Sequence, residues 1–397
     1  MTESSTGAVT LPLVRDPDRP FDPPAELAEL CRTRPLTRMT FPDGHLGWLV
    51  TGHEVARAMV ADPRFSVRYE LMHNPLNDVD MIGITAAPGD LSGVDAPQHT
   101  RLRRALTAQF TVRRMNLLTE RIRQITDEHL DAMAQHGGPI DLVEYYAAPI
   151  PALMICELLG VPYGDHDFFR EQISAVTAPE SIEAMGAAWT RLAEYIKELA
   201  VAKRAAPTDD VLSTLTTTDL TDEELAGMGT FLLGAGMETT RSMIALGTFA
   251  LLEHREQFEA LRGDPDLAEG AVEELLRYLS IAHTGGRTAL EDVELAGETI
   301  REGETVAIAV NAINRDPRRF DDPDTLDIRR RAVGHLAFGH GVHQCLGQQL
   351  ARVELRVALP ALAIRFPTLR LAVPRAEVSL RIGNILGVDR LPVTWES

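Results

Sequence analysis

The chain has 397 residues, enough for two or three ordinary domains or one enzyme-sized unit, and its 45% hydrophobic content can fill a large core. Its 39 basic against 58 acidic residues leave a formal charge of -19, which argues against a polyanionic nucleic acid as partner. Three widely spaced cysteines, Cys31, Cys156 and Cys345, exclude a disulfide framework and point to a reducing compartment.

The N-terminal stretch MTESSTGAVTLPLV has neither the basic start nor the apolar run of a secretion signal. The longest charge-free apolar stretch, Leu225 to Met237, is too short to span a membrane. A cytoplasmic protein without membrane contact is the expectation. No repeat, linker or low-complexity tract divides the chain. Residues 1–397 therefore read as one catalytic domain, with about the first fifteen flexible.

In chain order, Arg38 to Thr51 alternates apolar and polar residues around a Pro-Asp-Gly turn, the pattern of a β-hairpin. Helical patterns follow over Glu54–Ala61, His99–Phe110, Met115–Gln135 and Ile150–Leu159. Between the first two, Glu70 to Pro97 is rich in Gly, Pro, Asn and Asp, and so long a loop is usually a lid or a binding loop. Further helices fall around Tyr163–Arg204. Thr221-Asp222-Glu223-Glu224 has the form of a capping box and opens a mostly apolar helix reaching about Glu253. A helix apolar on most faces belongs in the middle of a protein. Another helix spans Leu267–Leu279, short strands fill Val293–Val310, and a last long helix runs over Leu346–Ile364. The fold class is mainly α with a small β portion.

The stretch His335 to Gly347 places three histidines and Cys345 among glycines. Structural zinc wants four ligands, and only one thiolate is near. A nucleophilic cysteine with a histidine base leaves the glycines without a purpose, and a core cysteine beside surface histidines is the plainest reading. Gly339, Gly341 and Gly347 permit positive φ and close approach to something flat. Backbone N–H groups ahead of the following helix would favour a thiolate at Cys345. One thiolate in such a loop suits the axial position of haem iron.

Phe338-Gly339-His340-Gly341-Val342-His343-Gln344-Cys345-Leu346-Gly347 resembles the haem loop of the cytochrome P-450 superfamily at every fixed position of its pattern. The resemblance extends over nearly the whole chain, and is greatest to soluble actinobacterial members. It implies the cytochrome P-450 fold, a long central helix across a haem b, and Cys345 as the proximal iron ligand. Phe338, Gly339 and Gly347 would shape the loop, and His343 would donate to a haem propionate.

Three further constellations fit this resemblance. Gly234 and Gly236 inside a helix cost about 1 kcal/mol each relative to alanine, so either tight packing or a helix opened to oxygen and water is expected. Ala235-Gly236-Met237-Glu238-Thr239 resembles the family's acid–alcohol motif, which gives Glu238 and Thr239 the proton-delivery role and sets Ala235 against the cofactor. Glu274 and Arg277 alone are an everyday helix pair. By position they resemble the family's Glu-x-x-Arg, with Arg330 as third member of a buried network that locks the cysteine loop. His99 and Arg103, one helical turn apart, resemble the propionate-binding helix, with Arg287 as a third donor.

The implied activity is a monooxygenase reaction that hydroxylates or epoxidises a lipophilic small molecule of specialised metabolism. Oxidative coupling of aromatic rings and a non-catalytic haem-thiolate sensor are the alternatives, and the Glu238–Thr239 pair argues against the sensor. The chain has too few cysteines for an iron–sulfur cluster, so electrons must come from elsewhere. The resemblance implies a ferredoxin or flavodoxin with its reductase, acting on a monomer. Arg101, Arg104, Arg113 and Arg114, with Arg352 and Arg356 on the helix after Cys345, form a candidate basic docking patch.

Overall fold

The computed structural model describes residues 7–77, 82–177 and 181–396. The hairpin forms as expected. Leu36–Thr40 pairs antiparallel with Leu46–Val50, Arg38 opposite Trp48, and the Arg38 guanidinium lies 4.0 Å above the Trp48 ring. Thr305–Ala309 adds parallel to the second of these strands, and Thr284–Ala289 and Phe65–Ser66 complete five. The expected strands also include the small hairpin Val293–Leu295 with Glu298–Ile300. In the N-terminal segment the backbone of Val9 pairs with the first hairpin strand. Val9 N donates to Arg38 O at 2.9 Å, and Thr40 N donates to Val9 O at 2.8 Å.

Helices make up most of the rest. Thr221 does close a capping box with Glu224, and the helix it starts, Asp222–Glu253, is 32 residues long, about 48 Å. From Thr240 to Leu251 every residue is buried, so this central helix passes through the core as its all-round apolarity requires. It packs on the helices Pro149–Leu159, Ile182–Ala205 and Gln348–Arg365. A Cβ on Gly234 would stand 2.9 Å from Trp189, and one on Gly236 would stand 3.2 Å from Ile155. These glycines therefore serve helix contact, and the helix is continuous through them.

Elsewhere the expectation needs correction. Met115–Gln135 is two helices, Val112–Leu117 and Thr119–His136, because the Thr111 hydroxyl caps an earlier start and Leu118 N closes a tight turn on Met115 O at 3.0 Å. Ala25–Thr33 and Arg255–Gly263 are further helices of nine residues each, outside the expected elements. The described part of Glu70–Pro97 holds only one short turn of helix, Tyr69–Leu71, at its start. Among the described residues no helix is long and apolar enough to cross a membrane.

Candidate active site

The glycines shape the loop ahead of Cys345. Gly339 and Gly341 have φ of 67° and 77°, where a side chain would be strained. A Cβ on Gly341 would also stand 2.9 Å from Val60 O, so the loop presses directly on the helix His53–Ala61. Cys345 N donates to Phe338 O at 2.8 Å and closes the loop. Gly347 departs from expectation. Its φ is -79°, ordinary for any residue, and what it supplies is open space on the cavity side.

A cavity of about 310 Å³ separates this loop from the central helix. Phe338, Gln344, Cys345 and Gly347 line one side, and Ala235, Gly236 and Thr239 line the other. Between them the walls are mostly hydrocarbon, including Leu91, Phe110, Ile155 and Phe231. The Cys345 sulfur is open to this space. Burial pushes its thiol above the ordinary range, outweighing the backbone N–H groups of Gly347 and Gln348 and the charges of Arg103 and Arg352. The protein alone therefore favours the thiol here, and a metal ion is what would convert it to a thiolate.

Four basic side chains gather at one rim. Arg103, Arg287 and His343 line the cavity, and the His99 ring lies 4.0 Å from that of His343. Burial, then the neighbouring His99 and Arg287, hold His343 down to about 4. Burial likewise lowers Arg287 to about 10. His99 Nε2 is buried with no hydrogen-bond partner among the described residues. Such a cluster calls for anions, and the two carboxylates of a flat macrocycle seated on Cys345 would meet it. The residues present fit a haem.

The acid–alcohol pair is split by the helix. Thr239 faces the cavity, and its hydroxyl donates back to Ala235 O at 2.8 Å, within a helix that runs unbroken through this point. Glu238 is absent from the cavity wall and pairs instead with Arg241, at 2.9 Å, and with Arg381.

Glu274 and Arg277 are wholly buried and joined twice, at 2.7 and 2.8 Å. Arg330 reaches the same carboxylate at 3.1 Å, and Asp327 N donates to it at 3.1 Å. Arg277 also donates to Asn314 O and Pro323 O, at 3.0 and 2.8 Å. The segment leading to the cysteine loop is thereby tied to the helix Ala268–Leu279.

Four of the six arginines expected in the basic patch are engaged by other residues. Arg101 is bound to Glu224, Arg114 lies 3.3 Å from Asp209, and Arg352 is clamped on Glu273 at 2.6 and 3.0 Å. Arg356 is half-buried against Arg352 O. Arg104 and Arg113 are exposed and have no acidic partner among the described residues. Val112 and Leu117, on the same short helix as Arg113, are exposed hydrophobic residues.

One residue of the cavity escapes the motifs. Glu354, on the helix Gln348–Arg365, is 2% exposed and lines the cavity. Burial raises it to about 8, against a hydrogen bond from Thr240. Its signal in the sequence is the four-residue spacing Leu350, Glu354, Ala358, which places an acid on a buried helix face.

Comparison with known proteins agrees with this geometry. The Cytochrome P450 family model matches residues 88–370. Cytochrome P450 105C1 of a Streptomyces species is 49% identical over 380 residues, spanning 94% of this chain and 96% of that protein. Pentalenic acid synthase of Streptomyces avermitilis is 44% identical over 403 residues, with 100% of both chains covered. The crystal structure of CYP105P1 in complex with filipin I superposes with a TM-score of 0.89 at 42% identity, covering 98% of this chain and 99% of that one. The chain belongs to the cytochrome P450 family, and it is a haem-iron monooxygenase of the actinobacterial type.

Proposed function

We propose that the protein hydroxylates or epoxidises a lipophilic small molecule of bacterial specialised metabolism, with haem b on Cys345 and two electrons from a separate ferredoxin or flavodoxin and its reductase. The observation that carries this reading is one cavity in which Cys345 faces Thr239 across hydrocarbon walls, with four basic groups at the rim. The names of the relatives, with pentalenic acid and filipin I in them, support small organic substrates.

When bound, haem iron supplies the oxygen activation, which no amino-acid side chain can perform. The chain's own residues do the rest. Cys345 would hold the iron through its sulfur, and His99, Arg103, Arg287 and His343 would hold the carboxylates of the macrocycle. The apolar walls hold the substrate by burial and keep bulk water out. Thr239 presents a hydroxyl on the side opposite the sulfur, the place from which a proton can be handed on. Arg352 stacks 4.6 Å from the Phe338 ring while bound to Glu273, and so stiffens the loop on its outer side.

Cys345→Ala tests the assignment. The wild type should show a red-shifted ferrous carbonyl band, and the variant should lose that band and all oxygenation while still retaining some haem. A variant that keeps the band would overturn the ligand assignment. Spectral titration of the wild type against a panel of lipophilic compounds then identifies the substrate class.

A further inference from the structure

The helix His53–Ala61, whose far end presses on Gly341, begins at a second, smaller cavity. This space measures about 110 Å³ and is walled by the first turn of that helix and by Asp316, Arg318 and Arg319. It shares no lining residue with the cavity that holds Cys345.

The helix starts without a cap of its own. A Cβ on Gly52 would stand 2.5 Å from Pro35, so none of the usual capping side chains fits there. Asp316 takes up one free N–H, accepting from His53 N at 2.9 Å. The helical ladder begins only with Ala56 N, which donates to Gly52 O at 3.0 Å. Glu54 and Val55, both in the cavity wall, are left with N–H groups that find no acceptor among the described residues.

His53 is a second and independent sign of a ligand. It is 1% exposed and lines the cavity. Its Nε2 lies 2.8 Å from Gly334 O, which can only accept, so Nε2 carries the ring proton. Nδ1 is buried without a hydrogen-bond partner among the described residues, and it faces the side of Glu54, 3.8 Å from that carboxylate. Burial, opposed by the Gly334 bond and assisted by the charge of Arg319, keeps the ring below its ordinary pKa. Nδ1 is therefore a bare lone pair at neutral pH, and a buried lone pair calls for a donor.

The surrounding charges leave a positive balance. Asp316 and Arg318 neutralise each other through contacts at 2.9 Å. Arg319 has no acidic partner among the described residues and gives Nη2 to Val333 O at 2.6 Å. The Glu54 side chain is 86% exposed and can turn into solvent. A guanidinium and an uncapped helix start thus face the same small space, where anions are favoured. The fitting ligand brings negative oxygens for the donors and one O–H for His53.

We propose that this cavity binds inorganic phosphate, with oxygens on Glu54 N, Val55 N and the Arg319 guanidinium and its O–H donating to His53 Nδ1. Hydrogen phosphate carries both kinds of oxygen at neutral pH. Sulfate has no O–H, and a phosphate monoester gives up its last one near about pH 6. The site therefore selects the free ion. Once bound, the ion joins the start of the helix to the segment Asp316–Arg319.

The test is calorimetric titration of the haem-loaded protein at about pH 7.5 with potassium phosphate, potassium sulfate or methyl phosphate. Phosphate should bind at one site with a millimolar dissociation constant, and the other two should bind roughly tenfold more weakly. Arg319→Gln, an exposed change, should weaken phosphate roughly tenfold, and Glu54→Gln should strengthen it about two- to threefold. A crystal grown in phosphate should show the ion against Glu54 N and His53 Nδ1. Absence of binding heat, sulfate or methyl phosphate bound as well as phosphate, or unchanged affinity in Arg319→Gln overturns the site. So does a crystal in which water alone fills this space.

Discussion

At the residue scale, Glu354 shows what burial does to a single carboxyl group. It is raised to about 8 from an ordinary value near 4.5, with desolvation the main cause. The unfolded chain ionises this group as pH passes 4.5, while the folded protein holds it neutral until about 8. Stability is therefore undiminished below the lower value, falls as pH rises between the two, and levels off above. Glu354→Gln keeps the shape and a partner for Thr240 but cannot ionise. It should be more stable than the wild type at pH 8, by on the order of a few kcal/mol, with the difference vanishing near pH 4.5. Urea unfolding midpoints at the two pH values measure this, and an equal difference at both would refute it. The spacing Leu350, Glu354, Ala358 puts an acid on an apolar helix face, but nothing in the sequence shows what that acid meets there. Its environment arises where two helices meet, one carrying Thr240 and the other Glu354, 114 positions apart. Cys345 is the opposite case, because loop, glycines and thiol are contiguous and the chemistry is local.

At the scale of elements, the buried network around Glu274 holds the approach to the cysteine loop. Both Glu274 and Arg277 have no exposed side-chain surface, and Arg330 is 15% exposed. Glu274→Gln would leave two guanidinium groups facing one neutral amide. Removing one partner of a buried pair typically costs about 3–5 kcal/mol. The variant should unfold at lower urea and lose haem faster than the wild type, with the thiolate spectrum intact while haem remains. A variant as stable as the wild type would show that the carbonyls of Asn314 and Pro323 suffice for Arg277. This network is half legible in the sequence. The three-residue spacing of Glu274 and Arg277 is visible, but the carbonyls that complete it come from 37 and 46 positions downstream. Helix ends read better when they depend on near neighbours, as at Thr221. The break at Leu118 was hidden, since an apolar period continues across it while a cap at Thr111 starts the helix early.

At the scale of the whole molecule, a charge of -19 would repel an acidic electron donor, so the local balance near the thiolate matters. Composition alone counts six arginines there, and only tertiary structure shows which are already spent. Glu224 lies 123 positions from Arg101, and Glu273 lies 79 from Arg352. Arg104 and Arg113 are exposed with no acidic partner among the described residues, and we propose them as the contacts for a donor. Arg104→Glu and Arg113→Glu should each slow first-electron transfer several-fold at low salt, and added salt should slow the wild type. Arg352→Gln should instead act mainly on stability. Stopped-flow reduction indifferent to salt and to both reversals would exclude docking on this face.

The small sheet formed by Ile140–Asp141, Pro392–Thr394 and Arg370–Leu371 has a bearing on how the chain is born. Its middle strand is the last to be translated, and Leu391 N donates to Asp141 at a separation of 250 positions. At ribosomal speeds of about 5–20 residues per second, Asp141 waits roughly 12 to 50 s for that partner. Throughout this time Ile140, which ends 5% exposed, has no strand beside it. The nascent protein must therefore keep this seam open until residues 391–394 leave the exit tunnel.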